Sequence, residues 1–229
     1  MKIGILCAGD RELAPFLPML TDERISTKAM LMIHEGNLAG MEVAALYSGV
    51  CKVNAAIATQ LLIDAYRCDV VINAGTAGAM DAALHVFDTV ISTEVAYHDV
   101  AEHILTEFHP WMADVFFRAD GRLLEAARRA ADEKETVHFG RMVTGEQFIA
   151  DQGRARINER FHPLSVDMES AAVAHVCHAN GVPFVAVRTM TDTPAQRGTG
   201  AFEENCDHAS DISAEFVRRM LTHLKEITR

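Results

Sequence analysis

The spacing of apolar positions changes from a strand period to a helix period and back almost throughout the chain. Lys2 to Cys7 is a mostly apolar run with the character of a central strand. The turn Ala8-Gly-Asp-Arg-Glu12 follows, and Leu13, Phe16, Leu17 and Leu20 then recur at helical spacing. Between Ala29 and Val50 two runs, AMLMIHEG and MEVAALYSG, flank Asn37-Leu-Ala-Gly40, which predicts an antiparallel hairpin. Lys52 to Arg67 predicts a helix with Ala55, Ala56, Thr59, Leu62, Ile63 and Tyr66 on one face. Asp69 to Asn73 reads as a buried strand that empties into Ala74-Gly-Thr-Ala-Gly78, and Asp88 to Val95 as a further strand. Residues 100–117 hold aromatics and histidines without a period and read as a long loop. An amphipathic helix over Ala119–Glu133, a strand over Val137–Val143 and a polar helix near Asp151–Arg160 complete this part.

The stretch from Pro163 to Asp192 organises the rest. Leu164 and Val166 mark a short strand, and Ala171, Ala172, Val173, Val176 and Cys177 form a helical apolar face. Gly181 and Pro183 stop that helix. Val182 to Val187 is then a continuous apolar run leading into Arg188-Thr-Met-Thr-Asp192. The polar clusters at Glu169 and Asp192 thus each end a strand of one βαβ unit, the edge where open parallel sheets bind ligands. A helix over Asn205–Ile227, with Ile212, Phe216, Met220 and Leu224 inward, closes the chain. Alternating strands and helices predict a mainly parallel sheet covered on both faces.

Composition narrows the reading. The 229 residues contain no linker, repeat or low-complexity run, so one domain over residues 1–229 is expected. A net charge of −11 argues against nucleic acid or an anionic membrane as partner. No apolar run approaches the roughly 18 residues of a spanning helix. The opening MKIGILCAG enters a strand at once, without the basic region of a signal peptide. Cys7, Cys51, Cys68, Cys177 and Cys206 are odd in number and never in C-x-x-C spacing, which points to reduced thiols and a cytoplasmic setting.

Several residues carry a bland and a chemical reading side by side. Glu12 suits the first turn of a helix through the dipole alone, yet Gly75-Thr-Ala-Gly78, Glu169 and Asp192 follow strands on the same predicted edge. The Gly75/Gly78 segment allows close approach to a ligand or makes a tight turn; it is neither a dinucleotide fingerprint nor a phosphate loop. Phe148-Ile149 reads as core or as a flat wall for a heteroaromatic ring. His175 and His178 have metal-ligand spacing, but no carboxylate completes a set, and core histidines are the better reading. Cys7 has no basic partner in view and reads as a buried strand thiol.

Taken together the motifs resemble a known family. MKIGILCAG with Glu12, the G-T-A-G after the third apolar strand, EVAYHD, V-TG--FI, V-D-MES-A-AHVC and VPF--VR--TD cover nearly the whole chain. They resemble the bacterial 5'-methylthioadenosine/S-adenosylhomocysteine nucleosidases of the purine nucleoside phosphorylase superfamily. The resemblance implies a three-layer α/β/α fold with a mixed, mostly parallel central sheet, a homodimer, no cofactor, and hydrolysis of the adenine N-glycosidic bond. Motif by motif, it implies that Glu12 deprotonates the attacking water and Asp192 protonates adenine N7. Met168 and Glu169 become the ribose site, Gly78, Phe148 and Ile149 part of the base pocket, and Thr76 and Arg188 neighbours of the water. These residue types suit the chemistry, because adenine leaves poorly until N7 is protonated and burial raises a carboxyl enough to hold that proton.

Three departures stand out. Arg11 replaces the usual acidic residue, Asp167 stands where Glu is usual, and His103–Met112 lacks the family's Gln-hydrophobic-Pro-Gly stretch. The last of these bears on the 5' substituent and leaves 5'-deoxyadenosine and aminodeoxyfutalosine open as substrates. A nucleoside phosphorylase and a catalytically silent nucleoside-binding protein are the rival functions.

Overall fold

The computed structural model describes residues 1–132, 136–150, 153–196 and 198–228. Among these residues ten strands form one mixed sheet. β1 (Lys2–Cys7) lies at its heart, parallel to β4 (Met41–Tyr47) on one side and β5 (Val70–Ala79) on the other. β5 is parallel to β10 (Phe184–Asp192), which runs antiparallel to β6 (Thr89–Tyr97). β6 pairs with β8 (Val137–Thr144), β8 with β9 (Ser165–Asp167), and β9 returns antiparallel to β5. Five strands therefore close a ring, β5–β10–β6–β8–β9, from which β1 and β4 extend.

This closure corrects the expected parallel βαβ unit. β9 and β10 meet through β5, one antiparallel and one parallel to it, so the Glu169 and Asp192 clusters converge on β5.

The strand period is visible in burial. Ile3, Ile5 and Cys7 of β1 join a core with Phe216, Val217, Met220 and Leu221 of α7 (Thr199–Ile227) and with Leu123, Ala126 and Ala127 of α4 (Gly121–Ala130). Leu6 faces the opposite layer, which is built from α2 (Lys52–Asp64) and α6 (Ser170–Asn180). Gly4 lets α2 approach on that side, since a Cβ there would stand 3.1 Å from Leu62. A smaller cluster seats α5 (Arg154–Phe161) through Ile157 and Phe161 against Met80, Ala96 and Val143.

Other expectations shift in definable ways. The hairpin forms as β3 (Leu31–Leu38) and β4, but a further strand, β2 (Thr21–Lys28), pairs with β3. β2 is mostly exposed and carries no apolar alternation to announce it. The helix expected after β1 is one turn, α1 (Asp10–Leu13), followed by a 3-10 segment at Ala14–Met19. Pro15 and Pro18 remove the backbone donors that would extend an α-helix there. The long loop contains a short helix, α3 (Glu102–Glu107), and ends in β7 (Phe117–Arg118), which pairs with β6. The predicted ends at Glu133 and Asp151 lie outside the described residues. No helix among those described is long and apolar enough to cross a membrane.

Candidate active site

The strands run further than their apolar cores suggest. β5 continues through Gly75-Thr-Ala-Gly78 and β10 through Arg188–Asp192, so residues read as loops are sheet. An irregularity between Met190 and Asp192 brings Asp192 beside Gly78. Gly78 in turn pairs with Val166, and Asp167 with Thr144. Register alone thus gathers segments far apart in sequence around a cavity of about 460 Å³. Glu12, Thr76, Gly78, Phe148, Ile149, Met168, Glu169 and Asp192 all line it. Arg188 does not line the cavity; it is fully buried beneath the carboxylates.

Glu12 is held on both oxygens. Oε2 accepts from the backbone N–H of Ala8 at 2.7 Å and of Gly9 at 3.1 Å. Oε1 accepts from the N–H and the hydroxyl of Thr76 at 2.7 and 2.8 Å. Gly75 permits this approach: its φ is +146°, and a Cβ there would stand 2.5 Å from the Glu12 carboxyl carbon. We therefore expect Gly75→Ala to displace the carboxylate. Overpacking of this kind costs about 1–3 kcal/mol, so thermal unfolding should shift down and turnover should fall together. Wild-type values for both would contradict the packing argument.

Arg188 ties three acids together. Its Nε lies 3.1 Å from Asp167 Oδ2, Nη2 lies 3.3 Å from Glu169 Oε2, and Nη1 lies 3.6 Å from Glu12 Oε1. Nη2 also donates to Asn73 Oδ1 at 2.7 Å. Burial works against the guanidinium charge, but Asp167, Glu12 and Glu169 outweigh it and hold its pKa above the ordinary value. Replacing such a cation would leave buried carboxylates uncompensated.

Asp167 shapes the entry to α6. Its Oδ1 accepts from Thr144 Oγ1 at 2.6 Å and from the N–H groups of Glu169 and Ser170 at 3.2 and 3.1 Å. Glu169 is placed by this turn. One oxygen accepts from the Cys51 N–H at 3.0 Å and the other faces Arg188. Its carboxyl is pushed up to about 7, chiefly by burial, against the pull of Arg188 and with Asp167 and Glu12 adding to the rise.

Asp192 stands apart from that cluster. It is 1% exposed, and Oδ1 accepts from Thr191 Oγ1 at 3.1 Å. Burial raises its pKa, while the Thr191 hydroxyl and the charge of Arg154 draw it back. Gly78 makes room for it, since a Cβ there would lie 3.1 Å from Oδ2. Phe148 is 41% exposed and meets Phe202 edge-on at 6.5 Å.

Val50, Phe202 and Cys206 also line the cavity; an isolated apolar side chain or thiol among polar neighbours carries no signal in the sequence that it faces a ligand. Arg11 lies at the rim, bridged to Glu203 at 2.8 Å and Asp207 at 2.5 Å on α7. None of residues 103–112 reaches the cavity wall of this chain. Phe108 and Trp111 are exposed, at 58% and 68%. His175 packs between Phe117 and Tyr97, with its ring 5.2 Å from Phe117. The Cys7 thiol is raised well above its ordinary value by burial and by Glu12.

A closed mixed sheet with acids gathered after β1, β9 and β10 defines a class. Residues 2–222 match the sequence model of the Phosphorylase superfamily, and the chain belongs to that superfamily. A relative from Bacillus cytotoxicus, a 5'-methylthioadenosine/S-adenosylhomocysteine nucleosidase, is 37% identical over 234 residues, spanning 98% of this chain and 100% of that protein. The nucleosidase of the same name from Neisseria meningitidis, solved with methylthio-immucillin-A, superposes with a TM-score of 0.89 at 33% identity, covering 96% of this chain and 98% of that one. A futalosine hydrolase from Helicobacter pylori is also similar, with a TM-score of 0.87 at 26% identity over 96% and 97% of the two chains. Within the superfamily, this chain is a member of the 5'-methylthioadenosine/S-adenosylhomocysteine nucleosidase family.

Proposed function

We propose that this protein hydrolyses the N-glycosidic bond of 5'-methylthioadenosine and S-adenosylhomocysteine, releasing adenine and the 5'-thio-substituted ribose. The observation that carries the reading is the separation of acids around one cavity. Burial raises the carboxyls of both Asp192 and Glu169, but Asp192 stands outside the Arg188 cluster that Glu12 and Glu169 share.

In this reading Asp192, protonated, donates to adenine N7 as the bond to the anomeric carbon lengthens. Adenine then departs neutral, and positive charge builds on the ribose. Glu169 accepts hydrogen bonds from the ribose hydroxyls and offsets that charge. Glu12 takes a proton from the water attacking the opposite face of the sugar, the geometry of an inverting glycosidase. Thr76 and Arg188 hold Glu12 in place for this step. Gly78, Phe148 and Ile149 frame the base, and Met168 packs against the ribose.

The site offers little to a phosphate dianion, which supports hydrolysis over phosphorolysis. Asn73 gives its Nδ2 to the Leu6 carbonyl at 2.9 Å, and its oxygen accepts from Arg188 and Ser170. Arg11 is the one cationic side chain among the described residues lining the cavity, and Glu203 and Asp207 occupy it.

The protein acts as a cytoplasmic homodimer in methionine salvage. Phe108 and Trp111, with Val53 and Ile57 of α2, are exposed apolar side chains suited to the contact. A partner copy would complete the region of the 5' substituent. The test is to incubate the pure protein with 5'-methylthioadenosine, S-adenosylhomocysteine, 5'-deoxyadenosine and aminodeoxyfutalosine, and to quantify adenine. The first two should be cleaved best. Preference for either of the others would reassign the substrate while keeping the reaction.

A further inference from the structure

Arg154 begins α5, a helix that reads as polar and solvated, yet it is only 9% exposed. Its guanidinium is spent on backbone carbonyls. Nε donates to the carbonyl of Ala150 and Nη2 to that of Ile149, each at 3.1 Å, while Nη1 donates to the carbonyl of Ala79. Asn158, one turn later, donates to the Met80 carbonyl at 3.2 Å. Among the described residues no carboxylate pairs with Arg154 at ion-pair distance. Ala79 follows Gly78, the residue against which Asp192 packs, and Ile149 belongs to the cavity wall. One planar fork therefore spans two walls of the same end of the cavity, a task for which several fixed donors suit arginine better than lysine.

We propose that Arg154 is a positioning residue for the base end of the cavity, fastening the Phe148–Ile149 wall to the end of β5 beside Gly78 and Asp192. This rests on the nucleosidase reading and extends it to a residue outside the cavity lining. The fork sets the gap that a purine enters, and it does so without touching the reacting atoms. A second consequence is electrostatic. The groups set against the Asp192 carboxyl are Arg154 from α5, Gly78 from β5 and the Thr191 hydroxyl of its own strand, while the neutral Asn205 of α7 donates to the Thr191 carbonyl. Arg154 is the charged one. Removing it leaves burial less opposed, so the Asp192 carboxyl keeps its proton to higher pH.

The test compares wild type, R154K and R154M in the intact protein, with 5'-methylthioadenosine as substrate and free adenine as a binding probe. For R154M we expect KM and the adenine dissociation constant to rise about tenfold, the scale of one lost hydrogen-bonding arrangement. The alkaline limb of kcat/KM should move to higher pH. R154K keeps the charge and loses the fork, so it should bind adenine as weakly while its alkaline limb stays near that of wild type. Unchanged adenine affinity in both variants overturns the proposal, as does a limb that stays put in R154M. Should R154M fail to fold, R154K decides alone, and adenine affinity equal to wild type refutes the positioning role. Failure of wild type to release adenine would instead refute the nucleosidase reading.

Discussion

Replacing Asp192 with asparagine is expected to lower kcat by about 10²–10⁴-fold, the usual contribution of a general acid. The amide matches the carboxyl in shape and still accepts the Thr191 hydroxyl, so the cavity should persist. What is lost is the transferable proton. In the wild type, activity should decline on the alkaline side as pH passes the raised pKa of Asp192, because the proposed proton donor serves only while protonated. The linkage to stability has a definite sign. A carboxyl whose folded pKa lies above its unfolded value binds more protons when folded, so stability falls as pH rises between those two values. Asparagine escapes that penalty. At neutral pH the variant should melt at or above the wild-type temperature while being nearly inactive. Turnover close to wild type would remove Asp192 from the mechanism.

Glu12→Gln should be equally damaging to kcat, by about 10²–10⁴-fold, but should also destabilise. Glu12 receives two donors on each oxygen, from Ala8 and Gly9 on one and from Thr76 on the other. A glutamine keeps one acceptor oxygen and turns an NH2 group toward the other pair of donors. Buried donors left unsatisfied cost about 1–3 kcal/mol, so the melting temperature should fall. The two variants thus part company: both are inactive, and only Glu12→Gln is less stable. A Glu12→Gln protein that melts like wild type would mean the crowded donor set is not maintained in solution.

Much of this site was legible in the sequence because chemistry-bearing residues follow apolar strands. Glu12 after β1 and Asp192 at the end of β10 are visible that way, as is Glu169 after β9. The extent of the strands was not legible. Gly75-Thr-Ala-Gly78 has turn composition, yet it stays in β5 because β10 pairs along it on one side and β9 on the other. That pairing is a tertiary fact with no local signature. The closed ring was hidden for the same reason, since β9 has only three residues. β2 escaped notice because its polar residues face solvent. Arg154 escaped because a charged residue in a polar helix looks solvated until the carbonyls that turn it inward are known.

Water, not phosphate, is the nucleophile of the proposed reaction, and the product of the sugar half reports this directly. Purified protein and 5'-methylthioadenosine should be combined in phosphate-free buffer, with and without added inorganic phosphate, and the sugar product identified. The arrangement of Glu12 and Arg188, with Arg11 already paired to Glu203 and Asp207, predicts adenine and the free methylthioribose at the same rate in both conditions. Activity that requires phosphate and yields a sugar 1-phosphate would contradict it.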